Sequence, residues 1–389
     1  METVPILIVG GGIGGLTAAL ALARRNCRVH VIEKSPEFGE IGAGLQLAPN
    51  AMHVLDALGL LPEIGKRAVF PSRLVWMDAI RETRITALEL GAAFRARYGQ
   101  PYIVMHRGDL LDCLFAACRA EKLITLEANR TVVAVEDHGD RARARCADGT
   151  VCEAGLLIGA DGLWSTVRKL VADDAPVRDG HVAYRGTIPI EQMSRHAGLD
   201  NVVMWVGPDL HFVQYPIRGG ALYNQVAVFR SRRHPSGGGE DWGTVEEFDR
   251  HFAQTCAYVQ ASAKLMWRDK RWPMHDREPI LEWTRNRIGL LGDAAHPMFQ
   301  YVAQGACPAI EDALALARNI AAAPEDPAGA LRAYESERVL RTARVQLTAR
   351  AMGAFFHLDG VAAVVRNRMM EARAEDDYAM LDWLYGHRA

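Results

Sequence analysis

The stretch VPILIVGGGIGGLTAALALARRNCRVHVIEK, residues 4 to 34, constrains this chain more than any other. VPILIVG is a continuous apolar run suited to a strand covered on both faces. Gly10-x-Gly12-x-x-Gly15 follows, then small and apolar residues at helical spacing, then CRVHVIEK as a second strand carrying Glu33. This is a βαβ unit of the length a dinucleotide fold requires. Glycine is needed there for a tight reversal, for backbone close enough to touch a pyrophosphate, and for a helix lying near its strand. The helix N-terminus adds unpaired N–H groups and positive partial charge for phosphates. Glu33 stands about 20 residues on, where a carboxylate can accept both ribose hydroxyls. The spacing alone leaves FAD and NAD both open.

A length of 389 residues exceeds one typical core and points to one large or two intertwined domains. Lys+Arg of 45 against Asp+Glu of 47 leaves a net charge of −2, which offers nucleic acid or an anionic membrane no attraction. A small-molecule partner is expected. No basic leader or run of 18 apolar residues is seen, so no transmembrane segment is expected. Seven cysteines without a C-x-x-C pair fit free thiols in the cytoplasm, and no metal site or disulfide framework is expected.

Along the chain, IGAGLQLAPNAMHVLDALGL reads as a glycine-rich loop and then a helix, and HRGDLLDCLFAACRAE from residue 106 as another helix with Asp109 in its first turn. TVVAVED, RARARCADG and TVCEAGLLIGADG read as a meander returning to an apolar strand, and residues 181 to 230 as strands of a separate sheet. SRRHPSGGGED (231–241) has linker composition, RIGLLGDAAH is a further buried strand, and the chain looks helical from about 330 onward. The helical tail can pack on the core, form a homodimer contact or present a basic face to lipid, core or dimer packing being the plainer choice.

Two later segments repeat one pattern. GLLIGADGLWSTVR (155–168) places Asp161-Gly162 after a strand, with Ser165, Val167 and Arg168 beyond, and RIGLLGDAAHP does the same with Gly292-Asp293. An acid flanked by residues with almost no side chain suits close approach of backbone to a cofactor. Asp293 can accept from a ribityl hydroxyl. The small residues of AQGACPA, Gly305 and Ala306 among them, open a helix whose N–H groups can face a flavin that gains negative charge on reduction.

With these motifs assembled, the chain resembles the single-component FAD-dependent aromatic hydroxylases, over nearly its whole length. The resemblance rests on GGGIGGL, the Glu33 position, HRGDLL, GADGLWSTVR and GDAAHPMFQYVAQGACPAIEDA. It implies an α/β fold: a Rossmann-like FAD domain of the 4-hydroxybenzoate hydroxylase type (1–75, 100–178 and 277–330), interleaved with a mixed-sheet substrate domain (76–99 and 179–276), and a helical C-terminus (331–389). It also implies that Arg107 contacts FAD, that Asp161 belongs to a motif serving FAD and NAD(P)H, and that Asp293 binds the ribityl chain. A lone arginine opening a helix is ordinarily just solvated, so Arg107 takes its role from the resemblance. A second nicotinamide fingerprint is absent, as expected where NADH visits transiently.

Most members read H-P-x-x-P-x-x-G-Q-G in the last motif, whereas Gln300 stands here at the proline and Ala303 at the first glycine. Gln300 is donor and acceptor at once and can hold a substrate oxygen. In DLHFVQYPIRGG, a strand would put His211, Val213, Tyr215 and Ile217 on one face, with His211 and Tyr215 about 13 Å apart at the backbone. Tyr102 can line the same pocket. Together Tyr102, His211, Tyr215 and Gln300 are similar to the active-site set of the 3-hydroxybenzoate 6-hydroxylase subfamily. That likeness implies NADH- and O2-dependent para-hydroxylation of a hydroxybenzoate to gentisate through a flavin C4a-hydroperoxide. His211 would be the base, since neutral imidazole takes a phenol proton near pH 7. No arginine in the sequence stands out as the receiver of the substrate carboxylate. Salicylate 1-hydroxylase and 6-hydroxynicotinate 3-monooxygenase share the cofactor motifs, and an FAD dehydrogenase or oxidase, or a non-catalytic flavin-binding regulator, are readings from other classes.

Overall fold

The computed structural model describes residues 2–39, 43–193, 199–231 and 242–389. Most of the expected linker, 232–241, lies outside the described residues. The opening apolar run forms the strand Glu2–Val9, paired in parallel with Val29–Ile32 on one side and Val151–Gly159 on the other. Ile124–Glu127 and Ile288–Leu290 extend this parallel core outward, and the meander Val132–Asp137, Ala142–Cys146, Val151–Gly159 turns back into it antiparallel. Ile6, Leu7, Ile8, Leu157 and Ile158 are all buried, as strands covered on both faces require.

Three of these strands end side by side. Val9 runs into Gly10, Gly159 into the Asp161 turn, and Leu290 into the Gly292 turn. The three motifs therefore meet at the carboxyl edge of one parallel sheet, where open α/β sheets form their binding crevice. Helices Ile13–Ala23 and Ala306–Ala322 lie against each other beside that edge. A Cβ on Gly14 would sit 3.3 Å from Ala309 Cβ, so small residues let the two helices come close.

A second sheet of seven strands runs in the order Trp272–Asp276, Val177–Pro189, Leu222–Arg230, Leu210–Ile217, Val202–Gly207, Arg73–Asp78, Arg84–Glu89. Only the Val202–Gly207 pairing with Arg73–Asp78 is parallel. Two strands of this sheet thus come from a segment between two stretches of the first. One face, with Leu210, Phe212 and Phe229, packs on helices Val245–Phe252 and Ala257–Ala263. The other carries His211, Val213 and Tyr215 toward the first sheet.

One local expectation fails. The glycine-rich segment before the Pro49 helix is not all loop: Gly44–Leu47 is a strand antiparallel to Ile103–His106. Glycine at 44 is required there by crowding, since a Cβ would lie 2.5 Å from Tyr215 Cε2, and the freed space lets the Gly44 N–H donate to Asn224 Oδ1 at 2.7 Å. The tail folds back onto the core. Helix Pro327–Phe356 buries Leu331, Tyr334, Val339 and Val345, and its Arg338 pairs with Asp312 at 2.7 Å and Glu311 at 2.5 Å in full burial. All seven cysteines are free thiols, and among the described residues no helix is long and apolar enough to cross a membrane.

Candidate active site

The first glycine turn is shaped by close backbone contacts. Gly10 has φ of +111°, and a Cβ there would meet Ala160 O at 2.3 Å, while one on Gly15 would meet Gly10 O at 2.0 Å. A Cβ on Gly12 would meet nothing within 4 Å. That open side borders a cavity of about 920 Å³ between the two sheets. The helix that starts at Ile13 has no side-chain cap, nor does the helix that starts at Ala306 after Gly305, and both starts border this cavity. Two helix N-termini without side-chain caps form a cradle for an anionic, flat ligand. Glu33 stands behind the turn, its Oε2 accepting from Gly11 N–H at 2.7 Å and its Oε1 from Ser35 N–H at 2.9 Å. Each carboxylate oxygen keeps a lone pair for a ribose hydroxyl.

The two acid turns are locked to each other. Asp161 accepts from Ser165 Oγ at 2.5 Å and from the Thr166 and Val167 N–H groups at 2.7 and 3.3 Å, so its carboxylate serves its own turn, and neighbouring Gly162 borders the cavity instead. Buried Arg168 then donates to the carbonyls of Ala294 and Ala295 at 2.9 and 2.6 Å, gripping the GDAAHP turn from one side. Asp312 grips it from the other, accepting from Gly292 N–H at 3.1 Å and pairing with His296 at 2.5 Å. Asp293 is thereby fixed at the cavity wall, as is Arg107 at the start of its helix. Gly10, Gly15, Glu33 and Asp161 shape the wall without lining it.

Opposite lies the second sheet. Tyr102, His211, Tyr215 and Gln300, four positions far apart in the chain, line the same cavity. Tyr102 and Tyr215 are buried, and burial pushes both phenols above their ordinary range. Tyr102 donates to Gln46 Oε1 at 2.6 Å. Gln300 follows Phe299 in a tight turn whose last residue, Ala303, is left-handed at φ 53°. That conformation explains why glycine is the usual residue there, and an alanine bears it at a cost of about 1–2 kcal/mol. Tyr301 beside it fits against Gly353 of the long helix, where a Cβ would lie 2.5 Å from the ring.

His211 is 2% exposed, and burial, with His181 nearby, lowers its pKa to about 3. The ring is neutral at physiological pH. Its Nδ1 lies 2.8 Å from Nε2 of His357, which follows the last turn of the long helix and stacks on His181 at 4.6 Å between ring centroids. One nitrogen of the pair must donate and the other accept, so the contact couples the tautomers of both rings. When His211 Nδ1–H donates to His357, Nε2 is the bare nitrogen at the cavity. Sequence reasoning missed Gln46, Arg185 and His357. His357 gives no local signal, being one residue past a helix end, and Arg185 looks like any outward residue of an alternating strand.

These residues fit an FAD. The uncapped helix starts suit its phosphates and ring, the remaining lone pairs of Glu33 suit a ribose, and the open side of Gly12 leaves room. The comparisons agree. Residues 3–349 match the family model for an FAD binding domain. The 3-hydroxybenzoate 6-hydroxylase 1 of Aquipseudomonas alcaligenes is 42% identical over 98% of this chain and 97% of its own length. The 3-amino-4-hydroxybenzoate 2-monooxygenase of Streptomyces cremeus is 38% identical over 99% of this chain and 95% of its own. Klebsiella pneumoniae HpxO, solved with FAD and uric acid, superposes with a TM-score of 0.83 at 26% identity, over 95% of this chain and 93% of that one. The chain belongs to the FAD-binding domain family and is an FAD-dependent monooxygenase of the aromatic-hydroxylase type.

Proposed function

We propose that this enzyme hydroxylates 3-hydroxybenzoate at the carbon para to its hydroxyl, giving 2,5-dihydroxybenzoate, with NADH as electron donor and O2 as oxygen source. The observation that carries the reading is the meeting of Tyr102, His211, Tyr215 and Gln300 in one cavity with the two uncapped helix starts. It is supported by the similarity to a relative named for 3-hydroxybenzoate.

FAD would be held by the turn of Gly10, Gly12 and Gly15, by Glu33, Arg107, Asp161 and Asp293, and by the N–H groups at Gly305 and Ala306. Bound there, it supplies the redox chemistry, taking hydride from NADH and providing electrophilic oxygen. The chain's own residues prepare the ring. An electrophile needs an electron-rich carbon, and a phenolate is far richer than a phenol. His211 Nε2 accepts the phenol proton while Nδ1–H leans on His357. The depressed pKa keeps this base unprotonated beforehand, and the phenolate formed next to it offsets the desolvation that otherwise opposes an imidazolium. Tyr215 and Gln300 orient the ring and Tyr102 closes one end. The sheet floor beside them, with Leu74, Met204 and Val226, is apolar. In this reading the cofactor domain comprises 1–75, 100–178 and 277–330, and the substrate sheet 76–99 and 179–276, with the sheet strands Arg73–Asp78 and Val177–Pro189 running across the boundaries at 75 and 178.

Anaerobic reduction of the bound flavin by NADH and by NADPH, across a panel of hydroxylated benzoates, tests this. NADH with 3-hydroxybenzoate should reduce fastest. Preference for salicylate or 6-hydroxynicotinate would replace the substrate, and indifference to every aromatic acid would refute a hydroxylase.

A further inference from the structure

The sheet that floors the cavity is apolar along most of one register row. Met204 pairs with Val213, Val213 with Val226, and Val226 with Arg185, and all four border the cavity. The row lies between the one through His211 and the one through Tyr215. Arg185 is thus the charged end of a line of hydrocarbon side chains. Neighbouring strands are about 4.8 Å apart, so its backbone stands about 10 Å to the side of the His211–Tyr215 strand. Its side chain donates from Nη2 to Gln300 Oε1 at 2.6 Å, and its guanidinium carbon lies 6.0 Å from the centre of the Trp272 ring on the neighbouring strand.

That contact fixes the chemistry of Gln300 as well. A guanidinium only donates, so the amide atom facing it must be the carbonyl oxygen. One lone pair of the Gln300 oxygen is taken by that contact, and its NH2 is a donor. Arg185 and Gln300 together therefore present N–H donors and one permanent positive charge. The charge is close enough to Tyr215 to oppose part of the effect of burial on that phenol. Three other arginines border the cavity, of which Arg107 opens its helix on the cofactor wall. Arg344 stacks on Trp383 at 3.9 Å, and Arg373 donates to the Asp377 carbonyl at 2.8 Å.

We propose that Arg185, steadied by Gln300, receives the carboxylate of the aromatic substrate, and that it makes the enzyme selective for acids over neutral phenols. The inference rests on the functional reading above and adds the group that sets substrate charge. In this arrangement the substrate hydroxyl takes His211 and its carboxylate takes Arg185, both of which border the one cavity. Two parallel N–H···O contacts hold a planar carboxylate in one orientation, which a lysine does not reproduce.

The test compares 3-hydroxybenzoate with 3-hydroxybenzamide, equal in shape and differing in charge. Dissociation constants are read from the flavin spectrum of purified holoenzyme, for wild type, Arg185→Gln and Arg185→Lys. Wild type should prefer the acid. Arg185→Gln should lose about 30- to 100-fold in affinity for the acid and less than threefold for the amide. Arg185→Lys should lie between, which also separates a lost charge from a disturbed fold. Unchanged affinity for the acid in Arg185→Gln overturns the proposal, as does an equal loss for both ligands. If wild-type enzyme responds to no hydroxybenzoate at all, the functional reading fails first and this inference with it, a result visible before any variant is made.

Discussion

The two walls of the cavity are made in different ways. The wall from the parallel sheet is backbone: glycine turns, two bare helix starts, and acids that hold their own loops. The facing wall is side chain: an imidazole, a phenol and a guanidinium on the hydrocarbon floor of the second sheet, joined by Tyr102 and Gln300 from adjacent loops. A backbone wall recognises what all cofactors of one kind share, namely phosphates, hydroxyls and a flat ring. A side-chain wall is changed by single substitutions, so one scaffold can serve many aromatic substrates.

The sharpest way to break this division is at Gly15. Alanine there places a Cβ 2.0 Å from Gly10 O, so Gly15→Ala should purify with almost no flavin, read as the ratio of flavin to protein absorbance. Retained flavin would mean that the backbone is not the binding wall. His211→Ala should act on the other wall alone. Hydroxylation should fall about 10²- to 10⁴-fold with flavin content unchanged, measured as product per NADH consumed. Unchanged turnover would remove the base assignment.

The next effect is on stability rather than activity. His211 has a folded pKa of about 3, and an unfolded histidine titrates near 6.5. Between those values the unfolded chain takes up a proton that the native ring refuses. This contribution is fully present above pH 6.5 and is lost as pH falls toward 3, by up to about 1.4 kcal/mol per unit. Urea unfolding at pH 7.5, 6 and 5 checks the sign, and His211→Phe should flatten the slope across that window. The smallest effect is at the left-handed Ala303. Ala303→Gly should raise stability by up to about 1 kcal/mol, seen as a small rise in Tm with substrate affinity intact.

The same division explains what the sequence discloses. Glycine patterns at strand ends mark the backbone wall directly, because only glycine tolerates the contacts at Gly10 and Gly15, and a buried strand before each turn confirms the setting. The face shared by His211, Val213 and Tyr215 is also legible, from the twofold period of a strand. Which strands lie beside it is not. Arg185 enters the cavity only because two pairings set its row against Val226 and Val213, and those registers are long-range. His357 reaches His211 across 146 positions of chain, through the fold-back of the long helix. The strand Gly44–Leu47 looks like loop for a similar reason: its glycine answers to Tyr215, not to a turn.

The central claim is that both walls serve one chamber, in which a phenol is oxygenated. Turnover of 3-hydroxybenzoate with NADH under ¹⁸O2 tests it most directly. The account predicts 2,5-dihydroxybenzoate carrying one labelled oxygen, in step with NADH consumed. Labelled peroxide with the acid recovered unchanged would contradict it.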